Sequence, residues 1–303
     1  MTMNVTEYPT YRMKKMLGES IDTKQQGQPE ELKLIGSNED FHNIATAFAG
    51  SGQFKEACFV LEKGLELYPK ETDLLADYLN YGVRAGELEK AGKYFDLLYE
   101  IPHERYTWRS FTFMVNYLIS CNKTGIFGDK VNKENLKNTC QKLVREYKSY
   151  FPDEEKAYIA EYSVKESMGA KINDLLNVLK DGVSKVAVSP QCCLKIVDIS
   201  LESGDYQSVL DYAQKGLSVS AQEQESVDSG YFYYAIALAM DAKWRDVNDP
   251  EYKEPEYGKQ IIRMYRMADL SLDENKKTYR KVIQKRANML AFEMDTELPF
   301  NGR

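Results

Sequence analysis

Apolar residues recur along this chain at helical spacing, in successive blocks closed by glycine or proline. From Asn38 the text runs NEDFHNIATAFAGSGQFKEACFVLEKGLELYP. Phe41, Ile44, Ala45 and Phe48 share one helical face, and Ala57, Leu61 and Leu65 share the next. Asn38 reads as an N-cap, and Glu39 and Asp40 complement the positive end of the helix dipole. Gly50–Ser51–Gly52 turns the chain, and the small residues Ala45, Ala57 and Gly64 let two helix axes approach closely. The block is then written again. Gly52 recurs as Gly86, Ala57 as Ala91 and Leu61 as Phe95, each 34 residues on. Thr72 opens this second helix pair and Pro102 ends it.

The pattern continues beyond Tyr106. Trp108, Phe111, Val115 and Leu118 mark a helix, and a loop, NKTGIFGDKVN, separates it from a second one beginning after Asn132. Cys140, Val144 and Pro152 there repeat the spacing of Ala57, Leu61 and Pro69. A looser pair follows Asp153, and Ser189–Pro190 reads as a helix start, with proline at the first helical position. Ile196, Val197, Gly204, Val209, Ala213 and Gly216 repeat the spacing of Ile44, Ala45, Gly52, Ala57, Leu61 and Gly64. A sixth pair begins near Ser226 and is interrupted by RDVNDPEYKEPEY. The closing helix, from about Asn275 to Met294, puts Tyr279, Val282, Ile283, Ala287 and Leu290 on one side. No stretch alternates as a strand does, so the expected class is all-α.

A 34-residue helix–turn–helix period resembles the tetratricopeptide repeat. Phe41, Ile44, Ala45, Phe48, Ala57, Leu61 and Pro69 fall at that family's motif spacing, with Ala57 and Pro69 identical to it. The resemblance implies a right-handed α-α superhelix, or solenoid, of about six helix pairs. An arm at 1–37, flexible or loosely docked, precedes an array at 38–274, a capping helix at 275–294 and a tail at 295–303. It also implies binding of peptides or protein surfaces. Members of the family usually hold ligands in a concave groove lined by the first helix of each pair. By spacing, the corresponding residues are His42 and Thr46, then Ala76, Asn80 and Arg84, then Arg109, Phe113 and Asn116. Asn80 and Arg84 lie four apart, on one helical face, and together suit a backbone amide and a carboxylate. The chaperone-tail receptors of the family use a basic and asparagine clamp. Here His42 stands where its lysine would fall and Thr46 where its asparagine would, which argues against that ligand. The insertions at 122–132 and 245–256 each join a first to a second helix, and insertions in such arrays often sit at a binding face.

Composition narrows the function. The chain has 40 basic and 47 acidic residues among 303, an acidic balance that argues against a nucleic-acid partner. No apolar run approaches the roughly 18–20 residues of a membrane span, and MTMNVTEYPTYRMKKML has no apolar secretory core. Five cysteines form no CxxC pair, and Cys192 and Cys193 would diverge on a helix. A reduced, cytoplasmic chain with no metal and no cofactor is expected. The two histidines, His42 and His103, have no catalytic motif around them. GIFGDK at 125–130 lacks phosphate-loop spacing, and acidic pairs such as Glu154–Glu155 read as a solvated face. The stripe Lys277, Lys281, Lys285 reads likewise, with contact to acid or nucleic acid as its other meaning. The 22 tyrosines and 12 phenylalanines read mainly as core. Tyr231–Phe232–Tyr233–Tyr234 sweeps about 300° of a helix, so one ring must leave the core. The expectation is a non-catalytic adaptor or scaffold binding a protein or peptide, as monomer or homodimer. The alternative is a regulatory sensor of a small signalling peptide. An enzyme is the third reading.

Overall fold

The computed structural model describes residues 2–16, 32–220, 229–246, 254–273, 275–297 and 299–300. The chain divides into two compact units, Met1–Phe151 and Pro152–Arg303.

The first unit opens with β1 (Thr2–Asn4), a 3-10 turn at Val5–Glu7, α1 (Tyr8–Met16) and β2 (Lys33–Ile35). β1 and β2 pair in parallel, with Thr2 opposite Lys33. This short ladder is the one departure from helix among the described elements. Helices follow: α2 (Asn38–Gly50), α3 (Phe54–Leu67), α4 (Thr72–Ala85), α5 (Leu88–Tyr99), α6 (Trp108–Thr124) and α7 (Leu136–Tyr150). α2 and α4 begin 34 residues apart, and so do α3 and α5. The sequence period is therefore the period of the helix pairs.

Local chemistry explains the starts and the packing. Ser37, one residue before the expected cap, closes α2. Its Oγ accepts from the Asp40 amide at 3.1 Å, and the Asp40 carboxylate accepts from the Ser37 amide at 2.9 Å. Two orphan amides are thereby satisfied by a reciprocal capping box. Phe41, Ala45, Phe48, Ala57 and Leu61 are buried, whereas Ile44 is half-buried. Gly64 sits under the Phe41 ring, where an added Cβ would fall 2.8 Å from Cγ.

The described parts of the arm dock onto this first pair. Val5, Tyr8 and Leu34 are buried. The Tyr8 ring stands 5.8 Å from Phe48 and 5.5 Å from Phe59. Its hydroxyl donates to Glu56, which also pairs with Arg12. Tyr68 Oη donates to the Gly36 carbonyl at 2.9 Å. The expected arm is thus anchored at both described ends, while residues 17–31 lie outside the described residues.

The insertion after α6 does not project onto the face of first helices. It folds back on α5, a second helix. The amides of Asp129 and Lys130 donate to Asp96 at 3.0 and 3.3 Å, and Val131 is buried. Burial raises the Asp96 carboxyl above its usual range, against the pull of those two amides.

The second unit comprises α8 (Glu155–Ser167), α9 (Ile172–Lys185), α10 (Pro190–Ser203), α11 (Tyr206–Ser220), α12 (Ser229–Arg245), α13 (Pro255–Ser271) and α14 (Lys277–Glu293). α10 does begin at Pro190, but Ser189 makes no capping bond. The buried Glu155 of α8 instead accepts from the Cys192 amide at 2.7 Å, capping α10 from across the unit. In the aromatic run of α12 Phe232 is the buried ring, and Tyr231, Tyr233 and Tyr234 are half-buried. On α14, Ile283, Ala287 and Leu290 are buried as expected, but Tyr279 and Val282 are 43% and 45% exposed. They stand at the edge of the buried stripe, where the Tyr279 ring meets Tyr231 and Tyr234 at 5.3 and 5.7 Å. Most of the insertion at 245–256 lies outside the described residues. Among the described residues no helix is long and apolar enough to cross a membrane.

Candidate functional site

The first helices of the first unit, α2, α4 and α6, carry all eight residues expected to bind. Helical spacing places each on its helix face, and the structure then shows what each touches. The centre is a residue that repeat spacing did not single out. Asp77 of α4 is fully buried, yet it is a carboxylate. Leaving such a charge unpaired would be costly, so both oxygens are engaged. Oδ2 meets His42 Nδ1 of α2 at 2.5 Å, and Oδ1 accepts from the Arg109 guanidinium of α6. One side chain therefore ties three consecutive first helices together. Thr107 Oγ1 adds a parallel tie to Asp73 at 3.1 Å.

Electrostatics follow from this geometry. The hydrogen bond that His42 donates to Asp77, and the Asp77 charge, raise the His42 pKa above its ordinary value of 6.5, while partial burial and the Arg109 charge oppose the rise. Below that raised pKa the His42–Asp77–Arg109 group carries one net positive charge. Above it the group is neutral. Thr46 Oγ1 lies 3.2 Å from Tyr81 Oη, and burial raises the Tyr81 hydroxyl.

Around the tie stand groups not consumed by it. The Arg84 side chain is exposed, with its guanidinium 4.2 Å over the Phe54 ring. It has no carboxylate partner among the described residues. Asn80, one turn earlier, is half-buried, and Asn116 of α6 is exposed. Neither side chain makes a hydrogen bond among the described residues. Phe113 is half-buried beneath Arg109, whose guanidinium carbon is 5.8 Å from its ring centre. Ala76 is fully buried and lines nothing. Its neighbour Asp77 takes the position that spacing had assigned to it.

The candidates thus fall into two sets. His42 and Arg109 are spent on Asp77, and Thr46 is shared with Tyr81. Arg84, Asn80, Asn116 and Phe113 remain able to meet a ligand. Asp77 lies at i, i+3, i+7 with Asn80 and Arg84, a helical face already in view. That signal could have found it.

His103 lies elsewhere in the unit, its Nδ1 2.6 Å from Glu146. All five cysteines are buried free thiols, and burial pushes Cys58 and Cys140 up to about 12. Among the described residues no group of three His, Cys, Asp or Glu side chains is placed to hold a metal ion.

No family model matches the chain, and no curated protein does. Solved structures do. A thermophilic tetratricopeptide repeat protein of Thermus thermophilus is 12% identical with a TM-score of 0.48, covering 67% of this chain and 99% of that one. The TPR2AB domain of yeast Sti1, solved in complex with pHSP90, is 12% identical with a TM-score of 0.33, covering 86% and 98%. This chain's own helices fall in consecutive pairs, the first two of which repeat at 34 residues. By that geometry the chain is an all-α, tetratricopeptide-like helical-repeat protein.

Proposed function

We propose that the chain is a non-catalytic adaptor that binds a peptide or protein segment on the face formed by α2, α4 and α6. The observation that carries this reading is the pairing of Arg84 with Asn80. Arg84 is exposed, unneutralised and held over the Phe54 ring, one turn from a carboxamide with spare donors and acceptors. A guanidinium offers a planar fork to a carboxylate, and a carboxamide suits a peptide main chain. The expected ligand is an extended segment bearing a carboxylate, from an acidic side chain or a chain end, with an apolar residue for Phe113. The Asp77 tie supports the reading by holding the three helices in one arrangement, so that binding need not order them.

A random-peptide display selection against the wild-type chain and an Asn80→Asp/Arg84→Glu variant tests this. Circular dichroism must first show that both fold alike. Wild type should enrich carboxylate-bearing peptides that the variant fails to enrich. Identical enrichment by both proteins, or enrichment without acidic character, would remove the site from this face.

A further inference from the structure

The second unit carries a separate surface with an occupant already seated at one edge. On α14 the residues Lys281, Gln284, Lys285, Asn288, Met289 and Phe292 line one depression, opposite the buried Ile283, Ala287 and Leu290. At the end of α14 the chain reverses. Asp295 takes a left-handed backbone (φ 53°), and the Thr296 and Asp295 amides donate to the carbonyls of Ala291 and Phe292. This Schellman turn sends the tail back along the helix it has just left. There Asn288 grips the main chain of Phe300 twice. Its Nδ2 donates to the Phe300 carbonyl at 2.9 Å, and its Oδ1 accepts from the Phe300 amide at 3.1 Å. Arg266 of α13 reaches the Pro299 carbonyl at 3.5 Å.

Both Asn288 bonds read backbone, so any extended peptide can make them. What the tail leaves unused defines a better ligand. Lys281 and Lys285 are exposed and have no carboxylate partner among the described residues. Met289 and Phe292 are 52% and 81% exposed. We propose that the outer face of α14 is a second peptide-docking site, for an extended segment with acidic and apolar side chains, and that the chain's own tail holds its Asn288 edge until such a segment displaces it. A second copy docking α14 against α14 is disfavoured, because it would set lysines against lysines. The site stands independently of the face on α2, α4 and α6.

The test uses the full chain and two labelled synthetic peptides, QTQLPFDGE, whose acids follow the phenylalanine toward Lys285 and Lys281, and its neutral counterpart QTQLPFNGQ, followed by fluorescence anisotropy. Phe300→Pro removes the amide that Asn288 accepts from and frees the edge. The acidic peptide should bind the Phe300→Pro chain at least tenfold more tightly than wild type, and at least tenfold more tightly than the neutral peptide binds. Adding Asn288→Ala, or Asn288→Asp to keep an acceptor and lose the donor, should abolish the gain. Lys281→Glu/Lys285→Glu should abolish the preference for acid. Equal binding to wild type and Phe300→Pro would overturn the tail's role. Absence of binding, equal binding of both peptides, or indifference to both Asn288 variants would overturn the site.

Discussion

At the scale of single residues, Asp77 decides how the first unit's face behaves. Its burial is tolerable only because His42 and Arg109 supply donors from either side. Asp77→Ala should cost about 2 kcal/mol in urea unfolding, within the range for hydrogen bonds to charged groups. The cost stays below the roughly 3–5 kcal/mol of breaking a fully buried pair, because the side chains of His42 and Arg109 are 27% and 25% exposed and regain water. The same contact sets a pH dependence. The His42 pKa is raised in the folded chain, so its contribution to stability is complete below about 6.5, the unfolded value. It is lost as pH rises through the folded value. The stability advantage of wild type over His42→Ala should therefore shrink as pH rises above about 6.5, and NMR titration should place the His42 pKa above about 6.5. A His42 pKa at or below about 6.5 in wild type would sink the argument. Asp77 was poorly legible in the sequence for a physical reason. A carboxylate in an acidic chain reads as solvated, and the partners that bury it lie 35 and 32 residues away.

At the scale of elements, legibility was high where the signal was local. The 3.6-residue periodicity and the 34-residue period placed α2 to α5, and the buried sets on them match the apolar faces, apart from Ile44. Glycine within the pairs is a packing residue. In α11, a Cβ on Gly216 would come within 2.3 Å of the buried Phe232 ring of α12. Gly216→Ala gains up to about 1 kcal/mol of helix propensity but must displace a ring with no room to move. Overpacking of this kind typically costs about 1–3 kcal/mol, so a net loss of stability is expected. Gly50, at the end of α2, is the control. Nothing lies within 4 Å of its added Cβ and its φ is not positive. Gly50→Ala should be neutral or stabilising by up to about 1 kcal/mol. Chemical denaturation of both variants checks the contrast, and equal effects would mean that propensity, not contact, governs these positions.

At the scale of the whole molecule, a helical-repeat chain must cover the apolar faces of its terminal pairs, because each pair contacts only its neighbours. The first pair is covered by the chain's own beginning. The strand part of that cover was invisible in the sequence, since three-residue strands carry no alternation to read and β1 finds β2 some thirty residues on. The cover is specific: Tyr8 is 4% exposed, edge-on to Phe48 and tilted against Phe59, with its hydroxyl on Glu56. Removing a buried aromatic side chain costs about 3–5 kcal/mol when the site cannot collapse. Tyr8→Ala should therefore cost about 3 kcal/mol or more. Because repeats couple through nearest neighbours, the loss should be felt first in α2 and α3. Hydrogen exchange of the α3 amides around Phe59 should accelerate well before those of α6 do. A Tyr8→Ala chain with unchanged stability and unchanged α3 exchange would mean that the beginning of the chain does not cover the first pair in solution. If instead α3 and α6 accelerate together, the first unit unfolds as one cooperative block, and the cover stabilises all of it at once.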